Sequence, residues 1–207
     1  MVRPNPTTAA HVVGRNHNYS ATAPRPNQRE NGKPTPFTVL IDQQEKAPFP
    51  FTGLRGGSDV QYRPLIVPTR RVHLPTGDYS LAGVVRGQQV DLRQQVCIER
   101  KSMEDLFGSL AGKDGERRER FKAEHKRMQE MILWGGVAHV VIEGSREDAR
   151  LNPPEYGAPP GAVLSCSVRW PRKYGVAWHW AGSRNEAEKL TYELLADAWE
   201  FLTAEQK

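Results

Sequence analysis

The sequence predicts an α/β protein in which α-helices flank a mixed β-sheet. Four short runs of aliphatic and β-branched residues have the composition of strands, namely residues 37–42, 78–85, 90–101 and 137–144. Two longer segments, 116–133 and 183–203, repeat apolar residues with the period of an α-helix. Because strands and helices alternate along the chain, we expect one sheet covered by helices.

The first strand, FTVLID at residues 37–42, is apolar up to a final carboxylate. The segment from there to Pro75 is polar and interrupted by glycine and proline, so we expect irregular structure with one short strand. The strands at 78–85 and 90–101 are separated by a turn-like Arg-Gly-Gln at residues 86–88, which predicts a β-hairpin.

Two helices follow the hairpin. Ser102 and Asp105 have the spacing of a capping box, which predicts a helix start at Ser102. The longer helix, from about residue 116 to 133, places four residues on one face: Phe121, His125, Met128 and Ile132. His125, like His139 in the next strand, lies in an apolar pattern, so we expect both to be packed and not to bind metal.

The last part of the chain begins with a central strand at 137–144, which is apolar throughout. We then expect a loop at 145–160, a helix at 161–169, a strand at 176–180 and a final helix from Ser183. Ser183 and Glu186 form a second capping-box pattern.

Residues 1–36 differ in composition from the rest of the 207-residue chain. They are rich in Pro, Asn, Thr and Arg without an apolar period, which predicts a disordered basic tail and leaves residues 37–207 as one domain. The tail carries a net charge of +4 of the chain's +5. We expect it to add a diffuse, salt-sensitive attraction to nucleic acid, and the domain to bind such a partner through a local patch.

The composition also excludes several classes of protein. A charged fraction of 26% and a hydrophobic fraction of 38% are typical of a soluble globular protein, and no segment has the apolar length of a membrane span. No secretory signal is visible, so we expect an intracellular protein without a membrane partner, in the cytoplasm or nucleoid, or in the host cytoplasm if it belongs to a phage. With only Cys97 and Cys166, we expect reduced thiols and neither a disulfide framework nor a zinc site.

Opposed charges end the otherwise apolar run of the second hairpin strand. Side chains alternate between the faces of a strand, so Glu99 and Lys101 share one face and Arg100 lies on the other. Antiparallel pairing through the hairpin turn brings Asp78 alongside Glu99 and Lys101, and a neighbouring strand contributes Asp42.

Carboxylates that converge on one point repel each other unless a cation holds them. Oxygen donors without His or Cys favour Mg²⁺ or Mn²⁺, and Asp42, Asp78 and Glu99 are the candidate ligands. Such an ion lowers the pKa of a bound water and neutralises charge that develops on phosphorus, while a nearby lysine steadies the phosphate or the hydroxide. The pattern therefore predicts hydrolysis of a phosphodiester.

The same residues resemble a known family. Gly77-Asp78, Glu99-Arg100-Lys101 and Asp105 are similar to the GD…ERKxxxD signature of the XPF-type structure-specific endonucleases, a branch of the PD-(D/E)XK nuclease superfamily. The resemblance extends over roughly residues 37–203 and includes Asp42 with Glu45, which are similar to the family's opening D-x-R-E.

The resemblance implies a restriction-endonuclease-like fold and Mg²⁺-dependent cutting of branched, flapped or forked DNA. It makes Asp78 and Glu99 metal ligands and Lys101 the catalytic lysine, with Asp42 and Asp105 in supporting roles. Arg100, in the middle of the signature, is the remaining candidate from this motif.

Two departures from the family pattern affect what is expected. Gln44 stands where D-x-R-E has its arginine. The chain also has no room after the nuclease domain for the tandem helix-hairpin-helix domain through which cellular relatives dimerise and grip DNA. It is more similar to the short, standalone versions in bacteria and their viruses, and pairing as a homodimer or heterodimer stays open.

For several residues a purely structural role remains an alternative to a role in the site. Asp105 stabilises a helix start whatever else it does. Arg100 either takes part in the site or braces the opposite face through a carboxylate, and Glu45 is either a loop charge or a partner of the site. The basic residues of 116–132 are either a solvated face or contacts to the DNA backbone, with Arg120 the first candidate.

Two other functions remain open beside the metal-dependent endonuclease. One is a non-catalytic DNA-binding subunit of the same fold, and the other is a nuclease that cuts plain duplex DNA or four-way junctions. Because Asp78, Glu99 and Lys101 are all present, the sequence favours the enzyme.

Overall fold

The computed structural model describes residues 32–56, 63–112 and 115–204. Across these residues the chain forms ten strands and five helices. In chain order they are β1 (Lys33–Pro34), β2 (Phe37–Asp42), β3 (Arg55–Gly56), β4 (Arg63–Ile66), β5 (Thr69–Val72), β6 (Tyr79–Val85), β7 (Gln88–Asp91), β8 (Val96–Ser102), α1 (Met103–Ser109), α2 (Glu116–Leu133), β9 (Val137–Glu143), α3 (Arg146–Leu151), α4 (Pro160–Tyr174), β10 (Ala177–Trp180) and α5 (Arg184–Thr203).

Seven strands form one mixed sheet in the order β10-β9-β8-β6-β2-β5, with β7 paired to β6. β8, β9 and β10 run parallel, β6 is antiparallel to both β8 and β2, and β2 is parallel to β5. A smaller sheet has the order β1-β4-β3. The predicted fold class, a mixed sheet in an α/β protein, is therefore confirmed.

Helices cover both faces of the large sheet. On one face α5 packs against the strands through a cluster that includes Val39, Leu81, Val141, Leu195 and Trp199. On the other face α1, α2 and α4 pack through a cluster that includes Leu106, Phe121, Met128, Val140, Ile142 and Val163. Val140 and Val141 of β9 point to opposite clusters, which explains why this strand is apolar at successive positions.

The main correction concerns the predicted strand at 90–101, which is two strands, β7 and β8, with a turn between them. Asp91 Oδ1 accepts a hydrogen bond from the Arg93 N–H at 3.1 Å, and the Leu92 carbonyl accepts from the N–H of Val96 at 2.8 Å. Leu92 enters the core with 4% of its surface exposed. The turn frees β8 to pair with β9 along its whole length, so that only Tyr79 of β6 pairs directly with Ile98.

Other segments also differ from the predictions. The predicted loop at 145–160 contains α3, whose start has a full capping box between Ser145 and Asp148. The helix predicted at 161–169 extends to Tyr174 and ends at Gly175, which has a φ of 74°. The region from 43 to 75 holds three short strands instead of one.

The predicted boundary at residue 36 is placed too late. Lys33 and Pro34 form β1, which pairs in parallel with Leu65 and Ile66, so the folded part includes residues assigned to the tail. The rest of the predicted tail, residues 1–31, lies outside the described residues. Within the described part of the chain, no helix combines the length and apolarity needed to cross a bilayer.

Candidate active site

Backbone hydrogen bonds join the ends of β2, β6 and β8 at one edge of the sheet. The N–H of Asp42 donates to the Asp78 carbonyl at 2.8 Å, and the N–H of Asp78 donates to the Ile98 carbonyl at 2.9 Å. The Asp78 carboxylate in turn accepts from the N–H of Arg100 at 2.7 Å. These bonds bring the predicted residues Asp42, Asp78 and Glu99-Arg100-Lys101 to the same place.

Gly77 allows the close approach of Asp78 to β8. Its φ is 73°, a left-handed conformation that residues with a Cβ rarely adopt. A Cβ at this position would lie 2.3 Å from Cys97 Sγ and 3.1 Å from the Ile98 carbonyl oxygen. The glycine that precedes Asp78 in the signature is therefore required by contact with β8 as well as by backbone conformation.

Glu99 and Lys101 point from the same face of β8 into a cleft. Lys101 Nζ donates a hydrogen bond to Glu99 Oε1 and lies 4.8 Å from the centroid of the Phe121 ring on α2. Burial opposes the charge on Lys101, but the carboxylates of Glu99 and Glu124 outweigh it and raise the pKa of the ammonium. Lys101 is therefore a fixed positive charge at neutral pH.

Two carboxyl groups of the cleft resist ionisation. Burial, followed by repulsion from Glu99 and Glu45, raises the pKa of Asp78 well above its usual range. Burial and repulsion from Glu99 raise the pKa of Glu124 to about 8. With Lys101 as the ammonium among three carboxyl groups, the site is short of positive charge.

Glu124 is not among the site residues predicted from the sequence, where it lies within the basic segment 116–132. A signal for it is present in the sequence. Glu124 follows Phe121 by three residues and precedes Met128 by four, so it lies on the buried stripe of the helix and not on the solvated face.

Arg100 lies on the opposite face of β8 and makes buried ion pairs. Its Nη2 lies 3.1 Å from Glu45 Oε1 and its Nη1 lies 2.9 Å from Glu143 Oε1. Burial opposes ionisation of Glu45, but the Ala47 N–H and Arg100 overcome it and lower the pKa of that carboxyl. The sequence left Arg100 either in the site or bracing the opposite face, and Glu45 either a loop charge or a partner of the site. In the structure the two side chains pair with each other and brace the strand that carries Glu99 and Lys101.

Asp42 and Asp105 line the cleft but already make local hydrogen bonds. Asp42 Oδ1 accepts from the Leu74 N–H at 2.8 Å and Oδ2 from the Gln44 N–H at 2.7 Å. Asp105 lies in the first turn of α1, where its N–H donates to the Oγ of the cap residue Ser102 at 3.1 Å. Their supporting roles beside Asp78 and Glu99 stay a prediction.

The cleft has a volume of about 820 Å³ and a basic wall opposite its carboxylates. That wall belongs to α2, and the arginines that line the cleft are Arg117, Arg120 and Arg127. Part of the basic helix therefore faces the candidate site and is not only a solvated surface.

The donors of the cleft suit a hard divalent ion, because Asp78, Glu99 and Glu124 offer carboxylate oxygens. Within the described residues, no three His, Cys, Asp or Glu side chains are gathered closely enough to hold an ion as they stand. Lys101 Nζ occupies one oxygen of Glu99. The second oxygen of Glu99 stays available to an ion.

His125, predicted from its apolar pattern to be packed, lies in the core. His125 is fully buried, with Nδ1 2.8 Å from the Phe121 carbonyl oxygen, and its Nε2 accepts from Trp178 Nε1 at 3.0 Å. Trp170 packs against this pair with 7% of its surface exposed, so it is not available for stacking on a base.

The protein has a mixed sheet with helices on both faces, and its strand ends place carboxylates and a lysine in one cleft. These two features define the restriction-endonuclease-like class of α/β proteins. The ERCC4 domain family matches residues 50–194, which is more than half of the chain. The chain therefore belongs to the ERCC4 domain family, that of the XPF-type nucleases.

Solved structures show the same fold. XPF from Aeropyrum pernix has a TM-score of 0.50 and 18% identity, over 76% of this chain and 59% of that chain. XPF from Aeropyrum pernix in complex with DNA has a TM-score of 0.51 and 16% identity, over 79% of this chain and 65% of that chain. The chain thus spans less than two thirds of either structure. No curated protein sequence matches it.

Proposed function

We propose that the protein is a metal-dependent endonuclease that hydrolyses phosphodiester bonds in branched, flapped or forked DNA. The observation that carries the proposal is the convergence of Asp78, Glu99 and Lys101 in one cleft. The arginines of α2 on the facing wall support DNA as the substrate, since arginine binds phosphate oxygens. The XPF structure in complex with DNA supports the same substrate class.

In this proposal Asp78 and Glu99 hold Mg²⁺ or Mn²⁺. The bound ion supplies an activated water and neutralises charge on the phosphorus. A carboxylate oxygen that accepts one N–H keeps a further lone pair, so Asp42 is proposed as an additional ligand. Lys101, held over the Phe121 ring, is placed to contact the scissile phosphate or the attacking hydroxide.

The remaining residues of the signature position these groups. Arg100 fixes β8 through Glu45 and Glu143, and its N–H orients the Asp78 carboxylate. Asp105 at the first turn of α1 is proposed to support the rim of the cleft. A homodimer or a heterodimer with a related subunit, and an intracellular site of action, belong to the same proposal.

The test is cleavage of labelled flap, fork, bubble, four-way junction and plain duplex DNA with Mg²⁺, Mn²⁺ or EDTA. We expect Glu99→Gln and Lys101→Met each to lower the cleavage rate by about 100-fold or more, since each removes a group that acts on the reacting phosphate. DNA affinity in EDTA should stay close to that of the wild type, because the arginines of α2 are unchanged.

Glu193→Gln and Lys189→Met are the matched controls. Both residues are exposed on α5, which covers the sheet face opposite α2, and neither lines the cleft. Wild-type cleavage by Glu99→Gln and Lys101→Met would refute the assignment. Binding of branched DNA without cleavage under any ion would favour the non-catalytic subunit instead.

A further inference from the structure

We propose that Glu124 of α2 is a further carboxylate ligand of the divalent ion, in addition to Asp78, which precedes β6, Glu99 of β8 and Asp42 of β2. This inference rests on the proposed function and adds a ligand from a helix to a site otherwise built from strands.

The placement of Glu124 follows from the contact between α2 and Lys101. The Phe121 ring lies 4.8 Å from Lys101 Nζ, so this face of α2 looks directly at the Glu99–Lys101 pair. Glu124 is three residues further along the helix and therefore shares that face. It lines the same cleft as Asp78 and Glu99.

The surroundings of Glu124 distinguish it from the other acidic residues of the region. Glu119 on the same helix pairs with Lys122, and Glu45 pairs with Arg100. In the described part of the chain, Glu124 makes no ion pair within 4.0 Å of the kind that those residues make, and it lines the cleft together with Glu99.

Two carboxylates from different elements that line one cleft are a candidate position for a cation, beside the Lys101 ammonium that already pairs with Glu99. A divalent ion attracts both and removes their mutual repulsion. Since no three donors among the described residues are gathered closely enough as they stand, ligation requires the side chains of Glu99 and Glu124 to rotate. Both are glutamates with three rotatable side-chain bonds, so the backbone of β8 and α2 need not move.

The experiment measures Mn²⁺ binding in the absence of DNA, by calorimetry and by electron paramagnetic resonance. We expect Glu124→Gln to weaken Mn²⁺ binding about tenfold or more. Glu130→Gln, an exposed position on the same helix outside the cleft, should bind Mn²⁺ as the wild type does. The rise in melting temperature on adding Mn²⁺ should also be smaller for Glu124→Gln than for Glu130→Gln.

A parallel measurement on Glu99→Gln separates this inference from the proposed function. If Glu99→Gln loses Mn²⁺ binding while Glu124→Gln keeps wild-type binding, Glu124 is not a ligand and the proposed function stands. If neither change weakens Mn²⁺ binding, the ion site itself is refuted. Should Glu124→Gln fail to fold, Glu124→Asp decides, because it keeps the charge but shortens the side chain and should also weaken binding.

Discussion

At residue 77 the chain turns in a left-handed conformation directly against Cys97 and Ile98. This contact lets Asp78 donate to Ile98 and accept from Arg100, so that its carboxylate is held next to Glu99. The position of a metal-ligand candidate is thus determined by the residue before it, which carries no side chain.

Gly77→Ala and Gly87→Ala separate backbone strain from crowding. Both residues have a positive φ, of 73° and 81°, but a Cβ at Gly87 would meet nothing within 4 Å. We expect Gly87→Ala to lower the free energy of unfolding by about 1–2 kcal/mol through strain alone. Gly77→Ala should cost about 1–3 kcal/mol more, because its Cβ overlaps Cys97 Sγ.

Urea unfolding of the two variants checks this prediction, and cleavage assays should show a loss for Gly77→Ala only. Equal losses of stability in the two variants would mean that β8 moves aside without cost.

At the scale of elements, the alternation of side chains along β8 was enough to predict the faces of Glu99, Arg100 and Lys101. The break between β7 and β8 was not predicted, although the three consecutive polar residues Arg93-Gln94-Gln95 interrupt the alternation there. The turn itself depends on Asp91 accepting a hydrogen bond from Arg93 and on Leu92 entering the core, which the alternation does not show.

The sequence likewise predicted only part of the role of α2. Its apolar stripe predicted a helix, but which charged residues face the cleft depends on how α2 packs against β9 and α4. That packing places Arg117, Arg120, Glu124 and Arg127 on the cleft side. The periodicity places Glu124 beside Phe121 and Met128, but it carries no information about what that face packs against, so the basic wall needed the structure.

Arg120→Ala tests the basic wall of α2. We expect weaker DNA binding and a salt dependence of log K that is less steep by about 0.9, the loss of one phosphate contact. Lys126→Ala removes the same charge from an exposed position on the same helix outside the cleft, and should keep a steeper slope. Binding titrations between low and moderate salt measure the salt dependence of log K for both variants. Identical slopes would mean that the basic wall does not contact DNA.

At the scale of the whole molecule, buried titratable groups couple stability to pH in opposite directions. Burial and repulsion from Glu99 raise the pKa of Glu124 to about 8 from 4.5, so the folded protein keeps a proton that the unfolded chain releases. Stability from this group is present below pH 4.5 and is lost as the pH rises through 8. Burial lowers the pKa of His125 and His139 from 6.5 to about 4. Stability from these two groups is therefore lost as the pH falls below 6.5, because the unfolded chain binds protons that the folded protein does not.

We therefore expect the free energy of unfolding in EDTA to fall between about pH 7.5 and 8, where the histidines are largely neutral in both states. Glu124→Gln should make this fall smaller, because the variant has no carboxyl group there to titrate. Urea unfolding at a series of pH values measures the slope, with Glu130→Gln as the control. If Glu124→Gln leaves the slope of unfolding free energy against pH unchanged, the group responsible for the slope is not Glu124 but Asp78.

The packing of Gly77 on Cys97 has a consequence for the kinetics of the site. Cys97 has no exposed surface, and burial raises the pKa of its thiol, so a thiol reagent reaches it only after a local opening of the structure around it. The rate at which this cysteine is labelled in the folded protein therefore reports how often the structure next to Asp78 and Glu99 opens.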